Sequence, residues 1–200
     1  MNEHAIIIFQ KNPEPGKVKT KLGEVIGSEK AAEVYEYLLK NTHEVVEKYP
    51  ADVFVYFQDE VDNRFLLNDQ YHLSLQGQGI LGEKMEQAFA EVLGKGYQKV
   101  VIIGSDCLEL NADILDEAFE ALSYQDLVVG PAQDGTFYLL GMKELYSELF
   151  RDKDWVDQSV VSEILSDAKS LKLNVHKMKM LFDVEQYEDL KSLRGLLNIH

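Results

Sequence analysis

The sequence predicts an α/β fold: a mostly parallel central sheet with helices on both faces, in one domain over residues 1–200. Three observations lead there. Apolar stretches of strand length alternate with stretches of helical periodicity along the whole chain. Two of the strand-length runs, 5–10 and 99–104, are nearly continuous in apolar residues, as expected of strands covered on both faces. Lysine, glycine and aspartate gather in the loops after such runs, where open α/β sheets present their ligand sites.

Residues 5–10 read as the first strand and 11–19 as a loop stiffened by Pro13 and Pro15. The spacing of Ala31, Val34, Tyr35, Leu38, Leu39 and Val45 predicts a long helix over 28–49, with Ser28 at its N-cap. Residues 52–58 and 71–75 read as strands. Gly77 and Gly79 break the chain before a helix over 81–93, where Leu81, Met85, Ala88, Phe89 and Val92 share a face. A strand over 99–104, a turn and a helix over 111–122 follow. Strands over 126–130 and 136–141 flank a turn at 131–135. A helix over 156–168, a strand over 171–177 and a closing helix over 185–197 complete the chain.

Hydrophobic residues make up 46% of the chain, which suits a folded core and argues against disorder. The formal net charge of −15 repels nucleic acid and anionic membrane, so neither is an expected partner. Cys107 is the single cysteine, so no intrachain disulfide can form. No apolar stretch approaches the roughly 18 residues of a membrane span, and the run at 5–9 is too short and too acid-flanked for a signal peptide. The expected compartment is therefore the cytoplasm.

Three loops carry chemistry. In the first, Lys11, Lys17, Lys19 and Lys21 stand against Glu14, a basic island in an acidic protein. Gly16 would let backbone amides approach a phosphate, and the helix start after it would add amides and dipole. The Gly-Lys-Ser/Thr end of a Walker loop is missing, and a solvated basic loop would also account for the composition. In the second, Gly104-Ser105-Asp106-Cys107, an aspartate follows a buried strand. Mg²⁺ or Mn²⁺ would be its natural partner, although a turn or helix cap would also explain Asp106. Cys107 reads as a small buried filler. In the third, Asp134-Gly135 is first a turn signal, and second a carboxylate that could face Asp106. Gly82 and Glu83 could touch a base or ribose, or simply start a helix. Trp155 fits an acceptor pocket or the core, and Asp183 an N-cap. The histidines show no metal-ligand spacing.

Taken in order, these loops resemble one family: bacterial transferases tied to radical-SAM and selenium-domain proteins, of the arsenosugar-biosynthesis glycosyltransferase type. That family has the GT-A, or nucleotide-diphospho-sugar transferase, fold. The resemblance runs from Ile6 to about Leu190. The family's Lys-x-Pro-x-Pro-Gly-x-x-Lys-Thr-Arg-Leu loop is matched over Lys11 to Leu22, with Lys21 for the arginine. Its Gly-Asp-Leu-Gly-Glu-Arg-Met element is matched over Gly79 to Met85, with Ile80 and Lys84 substituted. Gly104 to Leu110 match a Gly-Ser/Thr-Asp-Cys-Pro-x-Leu element, with Leu108 for the proline. Gly130 to Leu139 match Gly-Pro-Ala-x-Asp-Gly-Gly-Tyr-Tyr-Leu, with Thr136 and Phe137 substituted. Trp155 and the run from Asp183 to Leu190 complete the set.

The resemblance implies a metal-dependent transferase using a nucleotide-sugar donor and a small-molecule acceptor. Lys11, Gly16, Lys19, Thr20 and Lys21, with Gly82 and Glu83, would hold the nucleotide. Asp106 and Asp134 would carry Mg²⁺ or Mn²⁺ and the catalytic load, and Thr136, Tyr138 and Trp155 would line the acceptor pocket. The same fold serves nucleotidyl transfer from an NTP, with release of pyrophosphate, and a non-catalytic nucleotide-binding role is also open. Lysine at position 21 offers phosphate a point charge where arginine would offer a fork, and Thr136 adds bulk beside an acceptor.

Overall fold

The computed structural model describes residues 3–184 and 187–192. Seven strands form one sheet: β1 (His4–Gln10), β2 (Asp52–Phe57), β3 (Tyr71–Leu75), β4 (Lys99–Ile103), β5 (Leu127–Pro131), β6 (Phe137–Met142) and β7 (Val175–Lys177). Their order is β3-β2-β1-β4-β6-β5-β7. Every neighbouring pair is parallel except those of β6, which runs antiparallel to both β4 and β5.

The helices are α1 (Thr20–Ile26), α2 (Ser28–Val46), α3 (Leu81–Gly94), α4 (Ala112–Ala121) and α5 (Val160–Ser170). Alternation along the strands sorts the core into two layers. Ala5 and Ile7 of β1 face Met85 and Phe89 of α3 and Ile164 of α5. Ile6 and Ile8 face the other way, toward Val46 of α2 and Leu115 and Phe119 of α4. β1 and β4 are covered on both sides, which is why their sequences are apolar without alternation. The expected architecture is thus present: a mostly parallel sheet with helices on both faces.

Some boundaries move for local reasons. Ser28 is the first residue of α2, and Gly27, at φ 90°, occupies the cap position before it. α5 begins at Val160, because the Asp154 and Asp157 carboxylates accept bonds from the amides of Val156 and Ser159 and hold 154–159 in turns. β7 starts at Val175, after a turn in which Lys172 is left-handed. The closing helix expected over 185–197 falls largely outside the described residues; within them Tyr187–Ser192 is a 3₁₀ segment. Among the described residues no helix is long and apolar enough to cross a membrane.

Candidate functional site

A cleft of about 590 Å³ opens at the carboxyl ends of β1 and β4. This is the size and position expected of a ligand site in an open α/β sheet. Lys11, Lys17, Lys19, Lys21 and Lys84 line it, against Asp106 as the lining carboxylate. Its walls include Gln10, Gln58 and Gln76, with Phe9, Leu81 and Phe137 as apolar surfaces.

The lysine loop is anchored from below. The backbone N–H of Lys11 donates to the Tyr35 hydroxyl at 3.1 Å, and that hydroxyl lies 3.3 Å from Ser105 Oγ. One buried phenol on α2 therefore joins the loops after β1 and β4. Lys19 closes the loop in a left-handed conformation, φ 44° and ψ 46°, immediately before α1. Its Nζ donates to Asp106 Oδ2 at 2.7 Å. The Lys19 side chain is 4% exposed and that of Asp106 25%.

Asp106 has a second acidic neighbour, and it is not the one expected from the sequence. Residues 181–184 run alongside the site through isolated bridges, Cys107 with Asp183 and Ala132 with Leu181. The Val184 amide donates to the Asp106 carbonyl at 3.2 Å. Asp183 thereby lies beside Asp106 and next to the Cys107 thiol, behind the cleft lining, and its Oδ1 is sealed from solvent with no hydrogen-bond partner among the described residues. Burial pushes its carboxyl up to about 8. Repulsion from Asp106 and Asp134 adds to this, while Lys19 opposes it. Burial likewise raises the Cys107 thiol, so the cysteine is a weak nucleophile, in keeping with a filler.

Asp134 stands one step removed. It is exposed at the β5–β6 turn, outside the cleft lining, and its Oδ1 accepts from the Thr136 amide at 2.9 Å and the Thr136 hydroxyl at 2.6 Å. Thr136 is engaged by the same contacts. Gly16 also lies outside the lining, at a turn with φ 80°. The helix expected to present amides there has only seven residues, so the cleft's positive character rests on ammonium groups.

Other expected contacts have structural work instead. The Glu83 carboxylate accepts from the Ile80 amide at 3.0 Å and caps α3. A Cβ on Gly82 would stand 2.3 Å from Trp155 Nε1, so this glycine exists to let the indole approach. Trp155 is 5% exposed, stacked on Phe150 and edge-on to Phe137; it packs in the core and not in an acceptor pocket. Tyr138 is buried, with its hydroxyl donating to the Lys179 carbonyl at 3.0 Å and its ring filling the space over Gly130. Phe137 and Thr20 do line the cleft.

Among the described residues no group of three or more His, Cys, Asp or Glu is arranged to hold a metal ion. Two carboxylates with a cation already between loops are nonetheless a fit for one. Asp183 Oδ1 has no hydrogen-bond partner among the described residues, and the Lys19 ammonium shows that Asp106 accepts positive charge there.

The mostly parallel seven-stranded sheet with helices on both faces matches the fold of nucleotide-diphospho-sugar transferases. The chain belongs to the bacterial family described as "Uncharacterized protein conserved in bacteria (DUF2064)", matched over residues 41–157. It is similar to the crystal structure of a protein from Desulfovibrio desulfuricans G20, provisionally described as a nucleotide-diphospho-sugar transferase. The identity is 30%, the TM-score 0.90, and the match covers 98% of this chain and 88% of that one. A cytidylyltransferase from Leptospira borgpetersenii aligns with TM-score 0.59 at 12% identity, over 100% of this chain and 88% of that one. A 4-diphosphocytidyl-2C-methyl-D-erythritol synthase from Anaerococcus prevotii aligns with TM-score 0.59 at 11% identity, over 98% of both chains. These last two show the fold alone. No curated protein matches the sequence.

Proposed function

We propose that this protein transfers a group from a nucleotide donor whose phosphates lie on the lysine-lined cleft, with a divalent cation held by Asp106 and Asp183. The observation that carries the reading is the charge inversion: five lysines face one cleft of a chain whose net charge is −15. Similarity to the Desulfovibrio protein supports a nucleotide-sugar donor and hence glycosyl transfer. The narrower resemblance to arsenosugar-type glycosyltransferases points the same way.

In that reaction the acceptor hydroxyl oxygen bonds to the anomeric carbon and loses its proton to solvent as the bond to the diphosphate breaks, and a nucleoside diphosphate leaves. Lys11, Lys19, Lys21 and Lys84 bind the phosphates and offset the charge that grows on the leaving oxygen. Tyr35 fixes the loop that carries them. Bound Mg²⁺ or Mn²⁺ would supply Lewis-acid stabilisation of the same diphosphate. Asp134 is set apart from this pair: it is exposed outside the cleft lining, and its Oδ1 accepts from the Thr136 amide and hydroxyl.

The abundance of lysine favours a second reading, nucleotidyl transfer from an NTP, whose triphosphate carries more charge. The products decide between them. The protein is incubated with Mn²⁺ and either nucleotide sugars or NTPs, and released nucleoside diphosphate or pyrophosphate is measured. A bound donor at about 100 times its Kd raises stability by roughly 2.7 kcal/mol, so melting curves identify the base first. If no nucleotide or nucleotide sugar shifts the melt, with or without Mn²⁺, the donor reading is wrong.

A further inference from the structure

Asp106 presents its two oxygens differently. Oδ1 turns back toward the chain, so close that a Cβ on Gly104 would stand 3.1 Å away. Oδ2 is held by Lys19, whose ammonium lies in a nearly dry position with its side chain 4% exposed. That lysine reaches the carboxylate from a left-handed backbone, a conformation that a residue with a Cβ keeps only where its surroundings hold it there. Asp183 lies beside Asp106, and its Oδ1 has no hydrogen-bond partner among the described residues. A divalent cation and this ammonium compete for the same oxygen, because two cations in contact with one carboxylate oxygen repel strongly in a partly dry site.

We propose that Lys19 is the resting counter-ion of the Asp106–Asp183 pair, and that a divalent cation enters only when donor phosphate draws the ammonium away. The inference rests on the nucleotide reading above and adds an order to it. Lys19 lines the same cleft as Lys11, Lys21 and Lys84, so an arriving phosphate offers its ammonium a new partner. Phosphate and metal then bind with positive coupling, and by linkage each strengthens the other by the same factor. Before donor arrives, the carboxylates are shielded from stray metal.

The test is calorimetric titration of Mn²⁺ alone into the wild type, Lys19→Met, Lys19→Arg and Lys21→Met, with melting curves for each. Removing the competing charge should tighten Mn²⁺ binding by at least about tenfold in Lys19→Met. Lys19→Arg keeps the charge and should stay near the wild type. Lys21→Met changes charge in the same cleft without touching Asp106, and its gain should be under about threefold. Inorganic pyrophosphate, titrated in EDTA, should bind the wild type and bind Lys19→Met more weakly. A measurement without variants guards against misfolding: pyrophosphate-saturated wild type should bind Mn²⁺ at least about tenfold more tightly than free protein, after correction for the complex in buffer. The proposal is overturned if Lys19→Met gains nothing, in which case Lys19 replaces or supports the metal. It is also overturned if Lys21→Met gains as much. Wild type that binds pyrophosphate while Lys19→Met gains nothing sinks this inference alone. Wild type that binds neither pyrophosphate nor any nucleotide sinks it together with the nucleotide reading.

Discussion

Tyr35 joins the site's loops through one oxygen, receiving the Lys11 amide and reaching Ser105. Tyr35→Phe keeps the ring and strips the Lys11 amide of its partner. The expected loss is about 1–2 kcal/mol of stability, with weaker pyrophosphate binding as the loop loosens. Denaturant melts and calorimetry measure both; unchanged values would reduce Tyr35 to ring packing. His43 gives a pH signature. Burial lowers its pKa to about 4, and its Nε2 lies 2.8 Å from Gln10 Oε1. The unfolded chain, with a histidine pKa near 6.5, therefore binds the proton that the native state refuses between those values. Stability should fall as pH drops through this window, by about 1.4 kcal/mol per unit for this one group. His43→Gln should flatten that slope in melts between pH 6.5 and 4; an unchanged slope would remove His43 as its source. Residues were legible in the sequence where they follow a buried strand: Lys11, Lys19 and Asp106 all lie on the cleft. Asp183 was read only as an N-cap and as part of the family run, not as a neighbour of Asp106, because 178–184 has no strand periodicity and reaches the site through isolated bridges. Tyr35 and Gln10 read as core, since nothing local tells a packed polar tip from one that anchors a loop.

At the scale of elements, each long strand and helix was legible because burial on one or both faces writes a period into the sequence. α1 was legible only as a helix start after the lysine loop, since seven residues with Gly23 inside them span too few turns to show a period. The start of α3 shows how an element's end can imitate a binding motif. Gly79, Gly82 and Glu83 suggest a ligand loop, yet Glu83 caps the helix and Gly82 admits Trp155. Gly82→Ala would force its Cβ within 2.3 Å of the indole nitrogen and 2.9 Å of the Phe150 carbonyl. The expected cost is about 1–3 kcal/mol, from displacement of α3 against the 3₁₀ segment Ser147–Phe150. Trp155 is the single tryptophan, so its emission reports the shift directly. Wild-type stability and an unchanged spectrum would show that the indole yields freely.

At the scale of the whole molecule, two electrostatic fields act on an anionic ligand in opposite directions. The lysines of the cleft attract it at contact distance, while a net charge of −15, spread over a body with a radius of gyration of about 16 Å, repels it from afar. Salt separates them, because the Debye length is about 10 Å at 0.1 M. In the wild type the contact terms dominate once the anion is seated, so pyrophosphate affinity should fall with rising salt as ammonium–phosphate attraction is screened. Replacing Lys21 and Lys84 with Met removes two of the attracting charges and makes the distant repulsion larger. Both positions line the cleft, and neither is buried, so the fold should survive the change. The salt dependence should then flatten or reverse, since screening now relieves repulsion more than it weakens attraction. Titrations of pyrophosphate in EDTA at about 0.05, 0.15 and 0.5 M salt, a range over which the Debye length shrinks severalfold, measure the slope for both proteins. Parallel slopes in wild type and double variant would mean that Lys21 and Lys84 do not meet the phosphates, and that the charge inversion at the cleft has another use.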